Sequence, residues 1–204
     1  TLQRRETPVS TNALAEQLQR SAASETNMVK SLADQGLLEH VPYHGVRLTR
    51  AGERSALRII RRHRVIELYL IEKLGYTWDT VHGEAERLEH AVSDELVNRM
   101  AGTLGDPEFD PHGAPIPTAE GLIAERPLRS LRDLSPGEAG IVGQVDDADS
   151  GRLQRLAELG LRPGARVKRL AGVGAPPVML QVSGEVVSLE ADLVEAVLVE
   201  CDDG

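Results

Sequence analysis

Apolar residues recur at helical spacing through the first half of the chain and at strand-like intervals through its last third. In TNALAEQLQ, Ala13, Leu14 and Leu18 share one face behind Ser10, a residue suited to cap a helix. A second helix is predicted behind a cap at Ser21, with Met28, Val29, Leu32 and Ala33 as its stripe and Gly36 as its stop. LLEHV, a PYHG turn and VRLT then read as a short hairpin with Gly45 in the turn. Helix, turn, helix and a two-stranded wing is the layout of a winged helix-turn-helix, whose second helix enters the DNA major groove. The opening TLQRRETPVS reads as the tail of a helix whose beginning the chain lacks.

The next helix is long. It starts near Arg50 behind Thr49 and ends near Gly75. Its second half, VIELYLIEKL, is apolar almost all round, which predicts burial on several sides, most simply against a partner subunit. WDTVHGEAERLEHAV and SDELVNRMAGTL give two more helices jointed at Ser93. From Gly105 to Pro127, Pro and Gly are dense and periodicity is lost, so this segment reads as a loop or linker. Short Val- and Leu-rich strands follow in GEAGIVGQV, ARVKRLAGV, PVMLQVSGEVVSLE and EAVLVEC, with one short helix in LQRLAELGLRPG. That pattern predicts a small β-barrel. The chain is therefore mainly α with a small β domain, divided as a winged helix-turn-helix at 1–60 with its first helix incomplete, a helical domain at 61–125 and a β domain at 126–204.

Composition narrows the function. A hydrophobic content of 41% suffices for a packed core. No apolar run approaches the ~20 residues of a membrane span, and no signal segment opens the chain. The one cysteine, Cys201, excludes an intramolecular disulfide and any cysteine-rich zinc site, and fits a reducing cytoplasm. Tyr43, Tyr69, Tyr76, Trp78 and Phe109 are all the aromatics, too few for the stacking platforms that bind single strands. The net charge of −9 argues against nucleic acid until it is split. Residues 1–73 carry 12 Lys and Arg against 8 Asp and Glu, a net +4; residues 74–204 carry 11 against 24, a net −13. A basic module that can meet phosphates is joined to an acidic remainder.

The chemistry concentrates in VHGEAERLEHAVSDE. With His82 placed at 0° on a helical wheel, Glu86 falls near 40°, Glu89 near −20° and His90 near 80°, at about 100° per residue. All four share one face, bordering the apolar side formed by Val81, Ala85, Leu88 and Val92, while Glu84 points elsewhere. His63 and Glu67, an i, i+4 pair, share a face of the long helix. If the two helices pack antiparallel, imidazoles and carboxylates meet as they do in metal-binding helical bundles. Any one of these residues is more often a solvated or tolerated side chain. Six at matching spacings, in a chain with six histidines, point to a divalent metal. The donors are hard, carboxylate and imidazole without thiolate, which suits Mn²⁺ or Fe²⁺ better than structural zinc. His112, His40 and His44 read as ordinary histidines, the last two within reach of a phosphate.

At this point RRHRVIELYLIEKLGYTWDTVHGEAERLEHAVSDELVNRM, followed by FDPHGAPIP, resembles the metal-dependent repressors of the DtxR/MntR family. The HRxxE pair, the VHxEAxxLEHxxSDE block and the PxGxPIP loop occur in order. LSPGEAGIV and LAELGLRPGARV resemble the SH3-like FeoA domain that many members carry, which makes the β domain an SH3-like β-barrel. The resemblance implies a homodimer whose helical domain binds metal and dimerises, and which grips a palindromic operator in double-stranded DNA when metal is bound. It implies a primary metal site using Glu86, Glu89 and His90 and an ancillary site using His63, Glu67 and His82. Iron-sensing members have cysteine where this chain has Glu86 and manganese-sensing members have glutamate, so Mn²⁺ is expected, with Fe²⁺ as the alternative. The family draws further primary ligands from a first helix missing here. It can also draw ancillary ligands from the SH3-like domain, where the candidates are Asp149 and Gln154.

For DNA contact, the second helix offers Ala23, Ser24, Thr26, Asn27 and Lys30. Ala23 suits a thymine methyl and Asn27 an adenine edge; Ser24, Thr26 and Lys30 suit phosphates. The wing offers Tyr43, His44 and Arg47 to the backbone. The expected function is a cytoplasmic, Mn²⁺-dependent transcriptional repressor of metal-transport genes, not an enzyme. A di-metal carboxylate enzyme is the reading from another class, and it lacks a nucleophile or substrate-pocket signal. A winged-helix regulator that uses no metal is the remaining one.

Overall fold

A computed structural model describes residues 8–17, 22–170 and 177–201. The chain divides into two compact units, Thr1–Ile59 and Ile60–Gly204.

The first unit begins with α1 (Thr11–Gln17) and α2 (Ala22–Asp34). Ser10 Oγ accepts the Ala13 N–H at 3.2 Å, the cap the sequence predicts. The expected cap Ser21 lies outside the described residues, as do residues 1–7, where the truncated opening helix was expected. Gly36, at φ 71°, ends α2. The hairpin follows as β1 (Leu38–Val41) and β2 (Gly45–Leu48), antiparallel in the register Leu38↔Leu48 to Val41↔Gly45. Val9 adds a bridge to Val46 through N–H···O bonds of 2.8 and 2.9 Å. A Cβ on Gly45 would stand 2.1 Å from the Val9 carbonyl oxygen, so this close approach, with φ 113°, requires glycine there. Ala15, Val29 and Val46 are buried in this unit.

The long helix α3 (Arg50–Leu74) opens on Thr49, whose Oγ1 accepts the Gly52 N–H at 3.1 Å. It runs from the first unit into the second. Part of its all-round apolar half is buried within the chain itself, while Leu68, Tyr69 and Ile71 are half-buried and Leu74 is exposed. Val65 packs with Val97, Ala101 and Ile116; Ile66 and Leu70 pack with Val81 and Ala85. Each such side chain, fully buried, contributes roughly 1.5–3 kcal/mol. Their partners lie on or beside α4 (Val81–Glu89) and α5 (Asp94–Thr103), and Ser93 Oγ caps α5 by accepting the Leu96 N–H at 3.2 Å. The arginines around His63 strap α3 to its neighbours. Arg61 donates to the Pro117 carbonyl, Arg62 to the Glu89 carbonyl and the Asp94 carboxylate, and Arg64 to the Pro115 carbonyl.

Beyond the loop come β3 (Arg129–Ser130), a 3₁₀ turn (Leu131–Asp133), β4 (Ala139–Val145), α6 (Ser150–Glu158), β5 (Arg166–Arg169), β6 (Val178–Val182), β7 (Glu185–Leu189), α7 (Ala191–Glu195) and β8 (Val197–Cys201). The sheet is antiparallel in the order β3-β8-β4-β5-β6-β7. The small β domain is present, but as an open sheet rather than a closed barrel: among the described residues no ladder joins β3 to β7. Its core is filled by Leu153 and Leu156 of α6, Leu193 and Val194 of α7, and Trp78 from the segment before α4. Helices and a tryptophan thus cover apolar surface that strand closure would otherwise have to cover. No helix among the described residues is long and apolar enough to cross a membrane.

Candidate metal centre

Two groups of ligand-type side chains meet at Glu67. The first is His63, Glu67 and His82. Glu67 lies one helical turn after His63 on α3, and His82 reaches across from the first turn of α4. His63 Nε2 lies 3.0 Å from Glu67 Oε1 and 3.1 Å from His82 Nδ1, and His82 Nδ1 lies 3.0 Å from the same Oε1. An octahedron with metal–ligand bonds of about 2.1 Å has edges of about 3.0 Å. These three atoms therefore already have the spacing of one face of a coordination shell.

Glu89, on the last turn of α4, holds the other nitrogen of His63, with Nδ1···Oε2 at 2.8 Å. A carboxylate on the distal ring nitrogen fixes the ring and makes the ligating nitrogen more basic. Burial alone would lower the His63 pKa, but the hydrogen bonds and charges of Glu67 and Glu89 outweigh it and raise it to about 9. Burial alone would raise the Glu67 pKa; His63 above all, with the charge of His112 and the hydrogen bond from His82, holds it below the usual carboxylate range.

The second group is Glu67, Asp110, His112 and Asp147, with one ligand atom from each within 4.8 Å of the others. Asp110 and His112 come from the loop after α5, and Asp147 from just beyond β4. Asp110 Oδ1 accepts the N–H groups of His112 and Ala114 at 2.8 and 2.9 Å, a tight turn that presents Oδ2 to the cluster. His112 Nε2 lies 3.0 Å from the Trp78 carbonyl oxygen, which can only accept; Nε2 therefore donates there, and Nδ1 is the nitrogen left facing the cluster. That Nδ1 stands 3.9 Å from Glu67 Oε2 and 4.0 Å from Asp147 Oδ2.

The loop is locked in place. The His112 carbonyl accepts the Val145 N–H at 2.9 Å, and Trp78 Nε1 donates to the Pro111 carbonyl at 2.9 Å. Gly113, at φ 86°, passes so close to β4 that a Cβ would sit 2.1 Å from the Gly143 carbonyl oxygen. Glu67 Oε2, Asp110 Oδ2 and His112 Nδ1 are all buried without a hydrogen-bond partner. Each such atom costs about 1–3 kcal/mol if left unsatisfied. Arg64 Nε, at 3.3 Å from Asp110 Oδ2, gives partial charge compensation. Burial nonetheless raises the Asp110 pKa to about 6, against the Ala114 N–H and the charges of Arg64 and His112. Buried polar atoms converging from α3 and the DPHG loop, with the half-exposed Asp147 beside them, are what a divalent cation fits. The donors are nitrogen and carboxylate oxygen only, a hard set.

The other predicted ligands lie apart. Glu86 is exposed, and His90, just past the end of α4, is 80% exposed with Nε2 3.5 Å from Glu89 Oε1. Asp149 caps α6 by accepting the Arg152 N–H at 2.7 Å, and Gln154 donates to Asp79 at 2.9 Å; neither belongs to the two groups. The β domain's member of the second group is Asp147. Sequence reasoning missed Asp110, His112 and Asp147, and the DPHG turn was the available signal, an Asp two residues before a His with a glycine behind it. On the DNA-facing candidates, Ser24, Thr26, Asn27 and Lys30 are exposed on α2, whereas the Ala23 side chain lies outside the described residues. Tyr43, His44 and Arg47 are exposed on the hairpin, with Arg47 paired to Glu39.

The iron-dependent repressor N-terminal DNA-binding domain matches residues 1–46, the iron-dependent repressor metal-binding and dimerisation domain matches 49–118, and the FeoA domain matches 129–201. The diphtheria toxin repressor of Corynebacterium efficiens is 32% identical, over 94% of this chain and 86% of its own length. The iron-dependent repressor IdeR of Mycobacterium leprae is 30% identical, over 92% and 86%. A manganese-dependent transcriptional repressor solved in complex with manganese superposes with a TM-score of 0.89 at 38% identity, over 98% of this chain and 94% of that one. ScaR with bound Zn²⁺ superposes with a TM-score of 0.82 at 31% identity, over 95% and 92%. The chain belongs to the DtxR/MntR family of metal-dependent, DNA-binding transcriptional repressors, which are not enzymes.

Proposed function

We propose that this repressor is activated by Mn²⁺ and acts in the cytoplasm, as a homodimer on a palindromic operator, to control genes of metal-ion homeostasis and transport. The observation that carries the reading is the donor set: both groups consist of imidazole and carboxylate without thiolate, and Glu86 offers an oxygen where iron-sensing members have cysteine. The 38% identity to a manganese-dependent repressor supports it. The 30–32% identity to iron-dependent and diphtheria toxin repressors favours Fe²⁺ as the second reading.

In this reading residues 1–60 are the winged helix, 61–125 the metal-binding and dimerisation domain, and 126–204 the SH3-like domain. Glu86, Glu89 and His90 form part of a primary site, and His63, Glu67 and His82 the ancillary one, extended by Asp110, His112 and Asp147. The ion, when bound, supplies positive charge that offsets the buried carboxylates. His63 gives up its proton to ligate, Glu89 keeps its ring oriented, and His112 presents Nδ1 because Trp78 holds Nε2. Relief of carboxylate repulsion favours one arrangement of the protein over the other, and this is the differential interaction that a switch needs. Ala23, Ser24, Thr26, Asn27, Lys30, Tyr43, His44 and Arg47 then meet the DNA.

The test is operator binding titrated anaerobically with Mn²⁺, Fe²⁺ and Zn²⁺, on a duplex selected from a random library, for wild type and Glu86→Cys. Wild type is expected to respond to Mn²⁺ at lower free concentration than to Fe²⁺, and Glu86→Cys to shift that preference toward Fe²⁺. Activation of wild type by Fe²⁺ alone overturns the manganese assignment.

A further inference from the structure

Trp78 stands between two segments that bring ligand-type side chains together, the start of α4 and the DPHG loop. It lies just before Val81, which opens α4, and so one turn ahead of His82. From there it holds two successive residues of the loop. Its carbonyl oxygen lies 3.0 Å from His112 Nε2, and its indole Nε1 donates to the Pro111 carbonyl at 2.9 Å. Its ring also lies beside the imidazole, with centroids 5.2 Å apart and planes inclined at 37°. The β domain fixes the indole in turn. Trp78 is 8% exposed within the core that contains Leu131, Val142 and Leu180, and the Arg162 guanidinium sits 5.0 Å over its ring.

We propose that Trp78 is a positioning residue for His112. Its indole fixes the loop and the imidazole so that Nδ1 stays turned toward Glu67 and Asp147, and metal affinity depends on it. The proposal rests on the metal-binding reading above and deepens it, by naming a residue that ligates nothing yet sets the strength of binding.

Three observations carry it. The first is that the imidazole has little else to orient it. His112 is fully buried, its Nδ1 has no hydrogen-bond partner, and the contact with Trp78 is the one hydrogen bond of its ring among the described residues. A half-turn of the ring would put carbon atoms where Nδ1 and Nε2 now stand and would lose that bond. Partners that orient a ligating histidine through its second nitrogen typically contribute 10–100-fold in metal affinity, so a side chain that keeps such a partner in place has a measurable role. The second is that one residue grips two neighbours. Its carbonyl takes the His112 ring and its N–H takes the Pro111 carbonyl, so ring and backbone are held together. The third is that the loop is pinned from the β4 side as well. The His112 carbonyl accepts the Val145 N–H at 2.9 Å, and Gly113 presses on the Gly143 carbonyl. Without the indole, only that side of the clamp remains.

Trp78→Phe keeps an aromatic ring and removes the N–H. Isotope-labelled histidine ring signals are recorded by nuclear magnetic resonance in the metal-free chain, and Mn²⁺ affinity is measured by competition with a chromophoric chelator. Leu180→Ala, a truncation in the same core, controls for lost stability alone. Trp78→Phe in a His112→Gln background shows whether Trp78 acts through His112. Trp78→Phe is expected to shift and broaden the His112 ring signals and to weaken Mn²⁺ binding about 10–100-fold. Leu180→Ala should change neither, and Trp78→Phe should add nothing in the His112→Gln background. Unchanged ring signals or unchanged affinity in Trp78→Phe, equal weakening in Leu180→Ala, or additive losses in the double variant overturn the proposal. Wild type alone gives a further test: one His112 ring conformer with a slowly exchanging Nε2–H is expected, and two exchanging conformers overturn the proposal. A wild-type chain that binds no Mn²⁺ overturns the metal-binding reading itself.

Discussion

His63 carries a proton that a ligating metal must displace, and this sets opposite pH responses for the metal-free and metal-loaded protein. Its pKa rises from 6.5 to about 9 on folding, so the stabilisation is fully present below pH 6.5 and is lost as pH rises through about 9. That shift corresponds to about 3 kcal/mol. The lowered pKa of Glu67, the partner in the same pair, means the contribution also fades as pH falls below the ordinary glutamate range. Urea denaturation in chelator is expected to show stability falling between pH 6.5 and 9.5; a flat or rising profile contradicts the His63–Glu67–Glu89 arrangement. Mn²⁺ affinity should climb over the same window, because binding releases the His63 proton. A second residue-scale expectation concerns Gly113. Gly113→Ala forces a Cβ against the Gly143 carbonyl at positive φ and should cost roughly 2–4 kcal/mol in the same denaturation assay. A loss below about 0.5 kcal/mol would mean that the DPHG loop does not press on β4 as described.

At the scale of elements, α4 shows what periodicity reveals and where it stops. Burial tapers around its wheel: Val81 and Ala85 are buried, Glu89 is 11% exposed, His82 38%, and Glu86 and His90 open to solvent. The angular order was legible because a helix fixes it. What covers each sector was not, because that depends on packing partners from elsewhere in the chain. Helix starts at Ser10, Thr49 and Ser93 were legible from their capping side chains, and His63, Glu67 and His82 from spacing. Asp110, His112 and Asp147 share no helix and no period; a turn, a glycine contact and the end of a strand bring them together. Trp78 was likewise readable as an aromatic but not as part of the β-domain core. Removing a cap gives a local check: Ser93→Ala should cost about 1 kcal/mol by thermal or chemical denaturation, and no change would argue that α5 is held by packing alone. On α2, Asn27→Ala should cost about 1–3 kcal/mol at one base position and relax specificity there. Lys30→Ala should weaken binding to all sequences and lower the salt slope by about 1. Identical effects of the two variants across a panel of duplexes would remove Asn27 from the base-reading set.

Across the whole molecule, charge and burial divide the labour. The net +4 over residues 1–73 is where the exposed α2 and wing candidates lie, whereas the buried carboxylate and histidine groups belong to the second unit. Within that second unit the candidate ligand groups and the β domain are continuous. Trp78 sits in the β-domain core while its carbonyl holds His112, and Asp147 joins the ligand group from beyond β4. The open sheet, with α6 and α7 filling its core, leaves that junction as part of one folded body. In the proposed function, occupation of these groups by Mn²⁺ sets affinity for DNA. Its most direct test is fluorescence anisotropy of a library-selected operator duplex against protein, in chelator and at saturating Mn²⁺. Tightening of roughly 5–150-fold or more is expected with Mn²⁺, the ordinary range of coupling between two sites, with its loss in a His63→Ala, His82→Ala double variant. Equal affinity in chelator and in Mn²⁺ would contradict it.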